Sequence, residues 1–114
     1  MVGSTKLRIS YNDRMLNYDI IEPDEKRMAK GMSNTIEGDT EIIYQGTEIR
    51  KGFGGPEVSE FILEVGKGVP AGLLANWLYD RLKDSDVVSL NIGGQEVEVE
   101  EESIQEKLDK YADD

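Results

Sequence analysis

The chain contains no histidine and no cysteine in 114 residues. Without cysteine there is neither a disulfide framework nor a thiolate metal site, and without histidine the commonest metal ligand and general base is missing as well. Imidazole, thiol and soft-metal chemistry are therefore excluded, and no cofactor is implied. Basic residues are also in short supply, thirteen against twenty-four acids, for a net charge of −11. A field of that sign repels the phosphate backbone on which nucleic-acid affinity depends, so direct DNA or RNA binding is not expected.

Long apolar runs are lacking too. The best candidate, Val65–Tyr79, holds 15 residues with the single charge of Lys67, where about 20 are needed to span a bilayer. Gly66, Gly68 and Pro70 interrupt its start, and the polar flank of Gly72, Asn76, Asp80 and Lys83 is not basic enough to lie on an anionic membrane. The N-terminus shows no basic patch followed by an apolar stretch, which predicts a cytoplasmic protein.

What is present suffices for one domain spanning residues 1–114. A chain of this size buries roughly two thirds of its unfolded surface, and 38% apolar against 32% charged residues is a globular rather than a disordered balance. The acids are unevenly placed: residues 96–114 hold nine of them against two bases. Residues 112–114 are expected to fray.

Period-two alternation around turn residues predicts three hairpins. Lys6–Tyr11 and Arg14–Ile21 flank Asn12-Asp13, which would pair Ile9 with Leu16 and Leu7 with Tyr18. Glu41–Tyr44 and Thr47–Arg50 flank a turn at Gln45-Gly46 or Gly46-Thr47. Val87–Ile92 and Gln95–Val99 flank Gly93-Gly94, pairing Leu90 with Val97 and Val88 with Val99.

Helix signals fill the intervals. Acids after Pro23 and bases before Gly31 suit a short exposed helix. Pro56 opens a second candidate with a stripe of Val58, Phe61, Ile62 and Val65, ending at Gly66. Pro70 opens a third that runs to Lys83, and Ile104, Leu108 and Tyr111 mark an amphipathic closing helix over Glu101–Tyr111. Three glycines within 51–55 make that segment a candidate hinge. The expected fold is α+β, with antiparallel β-hairpins packed on two or three helices in the order ββ(α)ββααββα.

The helix over 69–83 is the candidate site. Stepped at about 100° per residue, its apolar side chains cover roughly 240° of circumference, more than a helix packed on one side requires. One account makes it a central core helix. The other leaves a flank carrying Leu73, Trp77 or Tyr79 free to bind another protein or a second copy of the chain.

Other motifs resolve into structural roles. Gly66-Lys67-Gly68 and the glycines of 52–55 complete neither a Walker pattern nor G-x-G-x-x-G after a strand. Asp84-x-Asp86 begins like a calcium loop but has Val88 at the fifth position and no glycine at the sixth. Ser10, Ser59, Ser85 and Ser103 have no histidine to activate them. Paired carboxylates remain the one catalytic resource, yet none stands in a clearly apolar setting, Glu64 coming nearest. The tail acids Glu96, Glu98, Glu100, Glu101, Glu102, Asp113 and Asp114 could also mimic nucleic-acid charge.

The run Ala71-Gly72-Leu73-Leu74-Ala75-Asn76-Trp77-Leu78, followed by strand Val87–Ile92, Gly93-Gly94 and strand Glu96–Val99, resembles the small effector-associated components encoded beside or fused to effectors in bacterial conflict systems. The resemblance covers the second half of the chain and rests on a hydrophobicity pattern. It implies a prokaryotic or phage-borne adaptor that couples an effector to a sensor, and it carries over no catalytic residue. The expected function is thus a non-enzymatic interaction or regulatory domain acting through residues 69–83. An acidic nucleic-acid mimic that inhibits a basic protein and a carboxylate-based hydrolase are the alternatives.

Overall fold

The computed structural model describes residues 3–13, 15–24, 27–48 and 56–111. Strand β1 (Ser4–Tyr11) leads into helix α1 (Leu16–Ile21). Strands β2 (Ser33–Glu37), β3 (Thr40–Glu48) and β4 (Glu57–Glu64) follow, then α2 (Ala71–Leu82), β5 (Val87–Ile92), β6 (Gln95–Val97) and α3 (Glu101–Leu108). The six strands form one antiparallel sheet in the order β2-β3-β4-β1-β5-β6. The α+β class and the packing of antiparallel strands on helices are as the sequence predicts.

Alternation within the sheet sorts its two faces. Leu7, Ile9 and Tyr11 of β1, Phe61 and Leu63 of β4, and Leu90 and Ile92 of β5 point into a core shared with Leu16 and Ile20 of α1, Leu74 and Leu78 of α2, and Ile104 and Leu108 of α3. The opposite face carries no helix among the described residues. There Arg8 reaches Glu48 at 3.2 Å and Glu60 at 3.4 Å, exposed pairs that contribute little to stability.

Four expectations are corrected. The segment paired with β1 in the first predicted hairpin is a helix: Leu16 and Ile20 are four apart, which satisfies a period of two and one of 3.6 alike, but buried Ile21 fits only the helix. Asp13 starts it, its side chain accepting the Met15 N–H at 2.9 Å and its carbonyl the Leu16 N–H at 3.1 Å. The helix expected from Pro23 is absent from the described residues of that stretch, 23–24 and 27–30. Favourable end charges without an apolar stripe do not hold so short a helix.

The middle hairpin is one strand. Gly46 adopts a φ of 123° and forms a bulge at Tyr44/Gly46 opposite β4, while the reversal comes earlier, at Gly38-Asp39 between β2 and β3. The stripe of Val58, Phe61 and Ile62 belongs to β4, a central strand bonded on both sides. Phe61, Leu63 and Val65 alternate toward the core as readily as the i, i+3, i+4 set forms a helical stripe, and β-branched and aromatic content favours the pleated surface. The candidate hinge at 51–55 and the tail at 112–114 lie outside the described residues.

The last hairpin forms as expected at Gly93-Gly94, whose φ values of 61° and 86° are those a two-residue primed turn requires. Leu90 faces Val97, but β6 stops there, so the expected pairing of Val88 with Val99 does not form, and Val88 is 57% exposed. Helix α2 begins after Pro70 and ends at Leu82; α3 ends at Leu108 with half-buried Tyr111 just beyond.

Candidate functional site

Helix α2 buries Ala71, Leu74, Ala75, Leu78 and Leu82 against the sheet. The remaining apolar residues divide between its flanks. Leu73 and Trp77 are i, i+4 neighbours and share one side; Leu73 is 38% exposed and Trp77 is half-buried. Tyr79 lies two residues on from Trp77, about 200° around the axis. On its flank Gly72 abuts Gln105 of α3 and the Asn76 amide donates to Glu101 at 3.0 Å. The structure therefore brings together two of the three residues singled out from the sequence and separates the third.

Arg81, which interrupts the apolar arc in sequence, organises the Leu73–Trp77 side. Its guanidinium carbon is 4.6 Å from the centre of the Trp77 ring. Nη2 donates to Glu22 at 3.2 Å and Nη1 to Asp80 at 3.5 Å. Glu22 terminates α1 in a left-handed conformation, φ 52°, and also accepts from Asn34 of β2 at 3.1 Å. The spacing Trp77–Arg81 is the sequence signal that could have revealed this brace; the Glu22 partner, 59 residues away, had none.

Two concavities adjoin the brace. One, of about 450 Å³, collects Asp13, Asp19, Glu22, Asp80 and Asp84 around Arg81. Partial burial, with Asp13 nearby, pushes the Asp19 carboxyl above its ordinary value. Among the described residues no group of three or more acids is placed to hold a metal ion. The other concavity, of about 550 Å³, runs between residues 21–24 and residues 32–35 of the β2 edge.

A third polar cluster lies in the interior. The Tyr11 hydroxyl is 2.6 Å from Ser59 Oγ and accepts from Asn17 Nδ2 at 2.9 Å; Thr47 Oγ1 meets Ser59 at 2.8 Å, Asn17 Nδ2 at 3.3 Å and the Tyr44 hydroxyl. These bonds fasten α1 to β1, β3 and β4. Burial raises the Tyr11 phenol above its ordinary value, although its hydrogen bonds oppose the shift. Asn17 Oδ1 has no hydrogen-bond partner among the described residues.

Comparison with protein-family models, with curated proteins and with solved structures finds no match to this chain. Among the described residues, no helix is long and apolar enough to cross a membrane.

Proposed function

We propose that this chain is a non-enzymatic protein-interaction or regulatory domain that engages a basic partner protein through the Leu73–Trp77 flank of α2. The observation that carries the reading is the pairing of an exposed leucine with a half-buried tryptophan on one regular helix. The large apolar side chains exposed among the described residues are Met15, Leu73 and Val88, and Leu73 stands one helical turn from Trp77. The Arg81 brace holds that ring in place before any partner arrives, and a fixed aromatic beside an aliphatic knob is the usual anchor of a protein interface.

Charge selects the kind of partner. The net charge of −11 opposes a second copy, and the acidic hollow beside Arg81 favours a surface of opposite sign. An adaptor of the sort implied by the resemblance of residues 69–99 falls in the same class.

The test is comparative capture with Leu73→Asp, whose exposed position leaves the fold intact. Wild-type chain retains a basic partner that the variant loses, while both unfold at the same temperature. Equal capture by the two proteins removes the α2 flank from consideration. Capture that survives Leu73→Asp but is competed by DNA and falls steeply with salt supports the acidic-mimic alternative instead.

A further inference from the structure

We propose that the outer edge of β2 accepts an extended, lysine- or arginine-bearing segment of a partner protein as a seventh strand of the sheet. Tyr44 N–H donates to the Met32 carbonyl and Gly31 N–H to the Tyr44 carbonyl, both at 2.8 Å. Those bonds fix which β3 residues face β2, and Ile42, two residues from Tyr44, bonds Asn34 in the observed register. By antiparallel alternation, the backbone N–H and C=O groups of Ser33 and Thr35 point away from the sheet. Among the described residues no strand lies beyond them.

Natural edge strands are commonly protected by lysine, proline or brevity. The far edge of this sheet has such protection: β6 is three residues long and leads into Glu98, Glu100, Glu101 and Glu102. Among the described side chains of β2 the exposed ones are the small, uncharged Ser33 and Thr35, and the groove of about 550 Å³ beside them leaves room for an added chain. Main-chain bonds to such an edge supply affinity, and side-chain alternation supplies specificity.

The alternation specifies the occupant. A residue placed opposite Asn34 projects to the same face as the Asn34 amide, which lies 3.1 Å from Glu22, with Asp24 on the groove wall. A cationic side chain suits that position. Residues opposite Ser33 and Thr35 project to the uncovered face, where small β-branched side chains fit. The groove is distinct from the α2 flank, because neither Leu73 nor Trp77 lines it, and Glu22 is the residue that its wall shares with the Arg81 brace.

The probe is the fluorescein-labelled peptide Lys-Val-Lys-Val-Lys, followed by fluorescence anisotropy on the full chain. It binds, and Glu-Val-Glu-Val-Glu does not. N-methylation of both valines removes the donors to Ser33 and Thr35 and weakens binding at least roughly tenfold, as loss of two main-chain bonds requires. Asp24→Asn weakens it by a smaller factor that shrinks with salt. Thr35→Pro deletes one outward N–H and gives a similar loss; Thr35→Lys, which cannot disturb the strand's own bonds, provides the check if the proline variant fails to fold. Leu73→Asp binds the peptide like the wild type. Undiminished binding of the N-methylated peptide reduces the interaction to charge attraction and overturns the proposal. So does absence of binding at millimolar peptide, or a wild-type dimer abolished by Thr35→Lys, which assigns the edge to a second copy.

Discussion

The guanidinium of Arg81 lies 4.6 Å above the ring of Trp77 while donating to Glu22 at the end of α1. One side chain thus positions the aromatic of α2 and ties that helix to α1. Replacing it with alanine should cost about 1 kcal/mol, because the cation–π contact is worth roughly 0.5–2 kcal/mol and the partly exposed ion pair adds little. Trp77 is the sole tryptophan, so its fluorescence reports the change directly: Arg81→Ala shifts the emission to the red. Unchanged emission would show that the ring is held by other contacts.

Tyr11→Phe removes the phenol from a buried network while leaving the ring in place. Ser59 and Asn17 retain Thr47, yet each loses one partner, and a loss of about 1–3 kcal/mol is expected. Urea unfolding at neutral pH measures it.

The same residue sets an alkaline limit. Its folded value is raised above the ordinary 10.0 by burial, so the folded state holds the proton more tightly than the unfolded state. The associated stability is complete below pH 10.0 and is lost as pH rises from there through the folded value. Wild-type stability should fall more steeply than that of Tyr11→Phe above this point; parallel curves would contradict the assignment.

Asp19 gives the corresponding acidic case. Burial, then Asp13, raise its folded value above 3.8. Its contribution is present below pH 3.8 and lost as pH rises through the folded value, so at pH 7 the ionised carboxylate is a net cost. Asp19→Asn should raise the melting temperature slightly at pH 7 and not at pH 3. The effect is small because the side chain is largely exposed.

Gly66 lies where the chain leaves β4. A Cβ there would sit 2.8 Å from the Asp39 carbonyl carbon and 2.9 Å from the Thr40 nitrogen, both backbone atoms. Gly66→Ala should therefore cost about 1–3 kcal/mol, as overpacking does. Thr40→Val tests the same junction, since Thr40 Oγ1 accepts the buried Gly66 N–H at 2.7 Å; orphaning that donor costs about 1–3 kcal/mol. Circular dichroism melts separate both variants from wild type.

Where local signals had one interpretation, the sequence was sufficient. Gly93-Gly94 admits a primed turn and little else, and α2 and α3 carry apolar spacings that no strand would use. The absence of histidine and cysteine, the acidic balance and the α+β class needed no coordinates.

Tertiary structure decided the segments whose patterns served two periods. Leu16 and Ile20, and Val58 with Phe61 and Ile62, are compatible with helix and strand, and only the supply of bonding partners chose. Strand β4 fills the gap between β1 and β3, where every backbone group on both sides is needed, whereas the segment after Asp13 lies above the sheet and must satisfy its own bonds as a helix. The candidate sites share that dependence. Leu73 and Trp77 are neighbours by helical arithmetic alone, but the Arg81–Glu22 brace and the open edge at Ser33 and Thr35 arise from elements distant in sequence. Residue spacing encodes which side chains share a face of one element; it does not encode which strand ends up with no neighbour.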